Sequence, residues 1–420
     1  MKPPFGLSPK WFARAIAIPC VTPTLMRRSP HLKSCLVPSM GKLATETRRA
    51  QRLLLTALRA PETMPALPFA DWELLLRVAR RVRLLGRLEC DLSRAGLLAK
   101  IPPRAAAHLR ASRNVIAHRN TLVSWEINRI LWALEGTEVP LILLKGAAYA
   151  SAELPPARGR IFADVDLLVP EELIAEVEKR LLEHGWFKMQ IDPYDDRYYR
   201  VWMHEIPPLR HRERGTEIDV HHRLLPRTSR FKSDPMPLFA SARSLADPRL
   251  RVLAPADMVL HALVHLFLEG DPDEGLRLRD LVDVHDLLCY HGQEPGFWAG
   301  LVPRARALGF ERPLFYGLHH AQRLLGTPIP PDVLQKLKDA APSWLVRKLM
   351  DHLIHLTLLP GHPDYPSRWA AVGRWLMYVR AHWLRMPPVL LARHLSYKAW
   401  LRFRGVRKQI DLAQLDLKQQ

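Results

Sequence analysis

Cysteine is scarce: Cys20, Cys35, Cys90 and Cys289 are spread over 420 residues with no CxxC pair. Disulfide frameworks and zinc knuckles need closely paired cysteines, so neither organises this chain. Reduced thiols of a cytoplasmic protein are expected. Long apolar runs are also missing, since none approaches the roughly 20 residues that span a bilayer. The chain is expected to be soluble or peripheral to a membrane, with no integral segment. Acidic residues are absent from two segments near the ends. Residues 1–45 hold seven Lys or Arg and residues 365–410 hold ten, with no Asp or Glu in either stretch. The formal net charge of +20 therefore sits at the termini, and the span between them is close to neutral. That balance argues against a long nucleic-acid substrate in the core. Basic ends point instead to a partner for the ends, such as an anionic membrane surface, an acidic protein or RNA.

A chain that is 48% hydrophobic can bury a sizeable core and form two or three domains. Residues 1–40 are rich in Pro and Arg and lack periodicity. They read as a disordered basic extension, with Met40 as a plausible initiator. Residues 41–135 read as a helical region. Leu53, Leu54, Leu55 and Leu58 form one apolar face, and Trp72, Leu74, Leu75, Val78 and Val82 form another. Pro102 and Pro103 open a further helix. The character changes over residues 136–250. Val139 to Leu144 is an apolar run ending in Lys145-Gly146, followed by a helical stretch from Ala147 to Leu154. Ile161 to Val169 reads as a strand, and Pro170-Glu171-Glu172 opens a helix that Gly185 ends. Strand-like runs near Tyr199 to Leu209 and Glu217 to Leu224 flank the turn Arg212 to Gly215 as a hairpin. Helices are expected again over 251–365, at Asp257–Leu268, Leu276–Tyr290, Phe297–Leu308 and Pro313–Leu325. A basic, Trp/Arg-rich helical tail completes the chain over 366–420. The fold class is α+β, a mixed α/β sheet core flanked by N- and C-terminal helical regions.

Chemistry concentrates at Asp164-Val165-Asp166. Alternate residues of a strand leave the same face, so both carboxylates point one way while Val165 packs on the other. Two carboxylates so close repel each other and favour a shared cation, and Mg²⁺ takes oxygen ligands of this kind. Asp219, within Glu217-Ile218-Asp219-Val220, completes the cluster if its strand is adjacent. Three carboxylates can hold two divalent ions.

These residues resemble a known family. Leu144-Lys145-Gly146, Arg160 four residues ahead of Asp164-Val165-Asp166-Leu167-Leu168-Val169, and Glu217-Ile218-Asp219-Val220-His221 are similar to the uncharacterised nucleotidyltransferase family of the DNA-polymerase-β-like superfamily. Leu253-Ala254-Pro255-Ala256-Asp257 with His261 and His265, Leu278-Arg279-Asp280-Leu281 and Met386-Pro387 extend the likeness over roughly residues 50–400. The resemblance implies a nucleotidyltransferase-type core in which Asp164, Asp166 and Asp219 are catalytic and hold Mg²⁺ or Mn²⁺. It implies transfer of a nucleotidyl group, AMP from ATP, to an acceptor hydroxyl on a small molecule, a saccharide or a protein. Lys145, Gly146 and Arg160 are the expected nucleotide-binding residues. The chain departs from the superfamily in having Gly146-Ala147 where a Gly-Ser turn usually binds the triphosphate.

The remaining signals are weaker. His261 and His265 have a zinc-compatible i, i+4 spacing, but without an intervening Glu in the HExxH arrangement they read as packing or substrate contacts. His221 is expected to pack on the face opposite Asp219, and His222 carries no assignment. Trp369, Trp375, Trp383 and Trp400 alternate with arginines in the tail. This pattern suits a membrane interface, although packing of the tryptophans on the catalytic domain is the plainer expectation.

Overall fold

Apolar runs bounded by turn residues become the strands here, and 3–4-spaced apolar stripes become the helices that cover them. The computed structural model describes residues 40–162, 164–189, 193–231, 234–268, 275–365 and 367–403. The expected extension over 1–40 lies outside the described residues except for Met40, and so does the end of the tail. The chain divides after Leu43, and the sheet and the helices that flank it belong to the second unit.

Four N-terminal helices precede the sheet: α1 (Met40–Arg59), α2 (Phe69–Arg81), α3 (Leu85–Arg94) and α4 (Pro103–Ala133). Pro103 opens α4 because a proline in the first turn forfeits no intrahelical hydrogen bond. The sheet and the short helices α5 to α8 follow. They run β1 (Leu141–Leu143), α5 (Lys145–Ser151), β2 (Asp164–Leu168), α6 (Ile174–Glu183), β3 (Trp186–Lys188), α7 (Pro193–Trp202), β4 (Leu209–His211), β5 (Glu217–His221), α8 (Met236–Ser241), β6 (Arg243–Ser244) and β7 (Leu250–Val252). The C-terminal helices are α9 (Pro255–Leu268), α10 (Leu278–His291), α11 (Phe297–Leu308), α12 (Glu311–Leu325), α13 (Pro331–Lys336), α14 (Trp344–Leu358), α15 (Arg368–Arg385) and α16 (Pro388–Phe403).

Among the described residues the strands form one seven-stranded sheet in the order β3-β4-β5-β2-β1-β7-β6. It is mixed. β2 runs parallel to β5 and β1 parallel to β7, while β1–β2, β3–β4, β4–β5 and β6–β7 are antiparallel. With helices on either side in the chain, the protein is of the α+β class. Strand β1 is apolar on both faces, and β2 and β5 are apolar on the face of Val165, Leu167, Ile218 and Val220. Leu141, Ile142, Leu143, Leu167, Leu168, Ile218 and Val220 are all buried, as a sheet covered on both sides requires.

Two differences from the sequence reading stand out. The run from Tyr199 is helical, not extended: α7 starts at Pro193, and Asp196 accepts from Arg200 Nε at 3.2 Å one turn later. That i, i+4 pair and the Tyr198–Trp202 ring contact, 5.9 Å between centroids, are helix-spaced. The tail tryptophans also do not pack into the core. Trp369 and Trp375 on α15 are 67% and 58% exposed, and Trp383 and Trp400 are exposed as well.

The N-terminal helices meet the loop before β2 through two glycines. A Cβ on Gly159 would lie 2.3 Å from the Gly86 carbonyl oxygen, and a Cβ on Gly86 would lie 2.6 Å from that of Gly159. Gly159 also has φ +68°, a conformation side chains rarely adopt. Only glycine permits this backbone crossing, and it fixes α3 against the segment that leads to Arg160.

Candidate active site

The parallel pairing of β2 with β5 sets Asp166 directly opposite Asp219 and Asp164 opposite Glu217. Side chains at matching positions of paired strands leave the same face, so this register brings four carboxylates side by side. Asp166 is buried, Asp219 half-buried, and Asp164 open to solvent at the strand's start. The three predicted acids are thus on one face of adjacent strands. They do not draw together as tightly as some other groups: they are not among the sets of described His, Cys, Asp and Glu ligand atoms lying within 4.8 Å of one another.

Lys145 answers part of that charge. The backbone N–H of Leu144 donates to the Asp166 carbonyl at 2.9 Å, extending the β1–β2 pairing, and the chain turns at once into α5. Lys145 makes the turn with φ +46°, a sparsely populated region for a residue with a side chain and a kind of strain that clusters at functional sites. Its ammonium donates to Asp166 Oδ1 at 2.9 Å. Gly146 follows because the ring of Phe162 leaves no room for a side chain: an added Cβ would lie 2.4 Å from the Phe162 ring. Its role in this structure is close packing beneath the acids.

Arg160, expected beside a triphosphate, is buried and ion-paired with Asp283 on α10. Its guanidinium lies over the rings of Tyr149 and Phe162, at 5.5 and 5.8 Å from their centroids. Burial, helped by the neighbouring charge of Arg279, lowers its pKa to about 10, so it remains cationic at neutral pH. Asp280, one turn before Asp283, accepts from Arg277 Nε at 2.9 Å and Arg279 Nη2 at 3.2 Å. His265 stands 3.6 Å from the same carboxylate and so belongs to this ion-pair cluster.

His221 corrects the sequence reading. It stands two residues after Asp219, and the period of a strand places it on the same face, not the opposite one. Its Nε2 lies 3.1 Å from Asp166 Oδ1, and its Nδ1 lies 3.3 Å from Glu205 Oε2. Glu205 reaches it through a bridge to His221 beside β5. His204 completes a compact cluster, its Nε2 3.9 Å from the same Glu205 oxygen and its ring 5.2 Å from that of His221. Sequence reasoning missed Glu205 and His204 because nothing local marks them. His221 was recoverable from strand alternation alone.

The electrostatics follow from crowding. Burial pushes the Asp219 carboxyl up to about 8, and the charges of Asp166 and Asp164 push the same way. Asp164 is raised too, by the protein packed closely around it and by Asp166. For Asp166 burial also opposes ionisation, but the charge of Lys145 and the hydrogen bond and charge of His221 outweigh it and hold the carboxyl far below the usual range. The site therefore sets one firmly ionised carboxylate beside two whose acidity is weakened by burial and by their neighbours' charge. An all-oxygen donor set of this kind fits a hard divalent cation, and Asp164, Asp166 and Asp219 are the residues that would hold it. A cavity of about 430 Å³ lined by Glu171, Arg223, Asp234 and Phe239 lies beyond the other end of β2.

A pH test follows. With metal chelated, a carboxyl raised in the folded state contributes stability in full below its unfolded value of about 3.9 and loses it as pH rises through about 8. The Asp219→Asn variant should therefore melt at a higher temperature than the parent at about pH 8.5 and gain little near pH 4. Melting curves of chelator-treated protein across that range check this. A difference that does not grow with pH would contradict the crowding.

No curated protein matches the chain. The model of one family, described as uncharacterised nucleotidyltransferase, matches residues 68–326. That span takes in β1, β2 and β5 with their acids, and it continues through α9 and α10 into α12. It covers more than half of the sequence, and the chain belongs to the uncharacterised nucleotidyltransferase family.

Proposed function

We propose that this protein is a divalent-metal-dependent nucleotidyltransferase that moves AMP from ATP to a hydroxyl of a small molecule, saccharide or protein. The observation that carries the reading is the register of Asp166 against Asp219, with Asp164 on the same face of β2. Mg²⁺ or Mn²⁺ bound by the three aspartates would supply charge neutralisation for the triphosphate and the departing pyrophosphate. In the reaction the acceptor oxygen bonds to the α-phosphorus, the bond to the bridging oxygen breaks, and pyrophosphate leaves. Asp219, which a bound cation would hold ionised, takes the acceptor proton. Lys145, beside Asp166, contributes positive charge for the phosphates in place of the absent serine turn. Arg160 acts at one remove: paired to Asp283 and stacked on Phe162, it fixes the segment that enters β2, while Gly146 lets that ring seat closely. A non-catalytic adaptor of the same fold would share these contacts but not turnover.

Magnesium-dependent release of pyrophosphate from ATP, measured with a panel of acceptors, separates the two. Asp166→Asn and Asp164→Asn should each lower the rate by at least about 100-fold with unchanged circular dichroism. Pyrophosphate release that survives either substitution would remove the aspartates from the chemistry.

A second reading concerns where the enzyme works, and exposed apolar surface favours it. On α14, Trp344 and Leu345 are 60% and 70% exposed, and α15 adds Trp369 and Trp375. Lys348 lies 4.3 Å from the Trp344 ring centre, and Arg368 and Arg374 interleave with the α15 tryptophans. Aromatic side chains among cations and an acid-free segment suit an anionic membrane surface. Co-sedimentation with anionic vesicles should be strong at about 50 mM salt and mostly lost by about 500 mM, because exposed charges are screened within a few ångströms there. The Trp369→Ala, Trp375→Ala double variant should bind less at any salt. Absence of binding at low salt would refute the surface reading and leave the chemistry untouched.

A further inference from the structure

Away from the sheet, three polar side chains converge in a place that hydrogen bonding does not explain. His319 and His320 sit on α12 and Asp351 on α14. His319 Nε2 and His320 Nε2 each lie 3.5 Å from the same oxygen, Asp351 Oδ1. The three atoms all lie within 4.8 Å of one another. Each of them is buried, and none makes a hydrogen bond. His320 as a whole is only 2% exposed. Buried polar atoms nearly always find partners, because leaving them unmet costs the full desolvation of the group. Three such atoms aimed at one point call for something between them.

We infer that His319, His320 and Asp351 form a binding site for a borderline transition metal, zinc being the physiological choice, that ties α12 to α14. The spacing fits. Zinc–nitrogen and zinc–oxygen bonds of about 2.0–2.1 Å at tetrahedral angles put neighbouring ligand atoms about 3.4 Å apart, close to the 3.5 Å found here. That distance is long for a hydrogen bond to a carboxylate. Two imidazoles and one carboxylate are a zinc donor set, softer than the all-oxygen set at the sheet. A water would supply the fourth position. The ion would complete a cross-link between a helix inside the region matched by the family and one beyond it, under the surface that carries Trp344 and Leu345. It is independent of the nucleotidyl chemistry.

Cobalt reports on this site directly, since tetrahedral Co²⁺ absorbs visible light far more strongly than Co²⁺ bound to an octahedral oxygen site. Full-length protein stripped by a chelator should take up one tetrahedral Co²⁺ per chain. Stoichiometric Zn²⁺ should displace it and excess Mg²⁺ should not. The bands should vanish in His320→Ala and in Asp351→Asn, and they should persist in Asp166→Asn. Zinc should raise the melting temperature of the parent and not of the two site variants. Asp351→Asn keeps size and shape, so it decides the matter if His320→Ala fails to fold. Absence of tetrahedral bands in the parent, or bands that survive in both site variants, would overturn the inference and leave water as the bridging group.

Discussion

Carboxylates on neighbouring strands repel, and the centre of this protein is built around tolerating that repulsion. Asp166 faces Asp219 across the parallel β2–β5 pair with Asp164 and Glu217 one step along. A sheet can hold such a set only if compensating charge is delivered to it or protons are retained on it. Both happen. Lys145 comes in on a strained backbone and His221 on the neighbouring strand to fix Asp166 as an anion, while Asp219 keeps its proton to unusually high pH. A divalent cation between them would relieve the set, and this is the physical basis of the proposed metal site.

Around that centre, α10 acts as a charged splint. Asp280, Asp283 and Asp286 recur every three residues and are all buried, an expensive pattern unless each is paired. Each is: Asp280 with Arg277 and Arg279, Asp283 with Arg160, and Asp286 with Arg87 on α3. Arg87 also holds Asp91 at 2.7 Å. One helix face thus anchors both the segment entering β2 and the N-terminal helices, and the Gly86–Gly159 crossing lets the two approach. The site acids are thereby held by contacts that reach far along the chain. A change at Arg87 or Asp283 would act on the site acids through position.

How much of this was legible in the sequence depends on how local the signal is. Alternation along one strand is local, and it placed Asp164 and Asp166 on a common face. The apolar stripes of α9 to α12 are local too, and the helices formed within a residue or two of those patterns. The aromatic run at α7 misled because Tyr and Trp favour strands, whereas the first-turn Pro193 and the Asp196–Arg200 pair were helix signals that carry more weight. The same alternation puts His221 on the face of Asp219. The partnership of Arg160 with Asp283, the approach of Glu205 to His221 and the meeting of His320 with Asp351 join residues far apart in sequence, where periodicity carries no information. In the sequence Arg160 shows only its charge, and its partner Asp283 lies too far along the chain for a local pattern to mark.

The central claim is that the three aspartates hold metal beneath a nucleoside triphosphate. Crystals grown with Mn²⁺ and a nonhydrolysable ATP analogue test it most directly, because manganese gives an anomalous signal that locates it without assumption. The account predicts anomalous peaks coordinated by Asp164, Asp166 and Asp219, with the triphosphate oxygens completing the shell. A well-ordered analogue bound elsewhere, with no peak at these carboxylates, would contradict it.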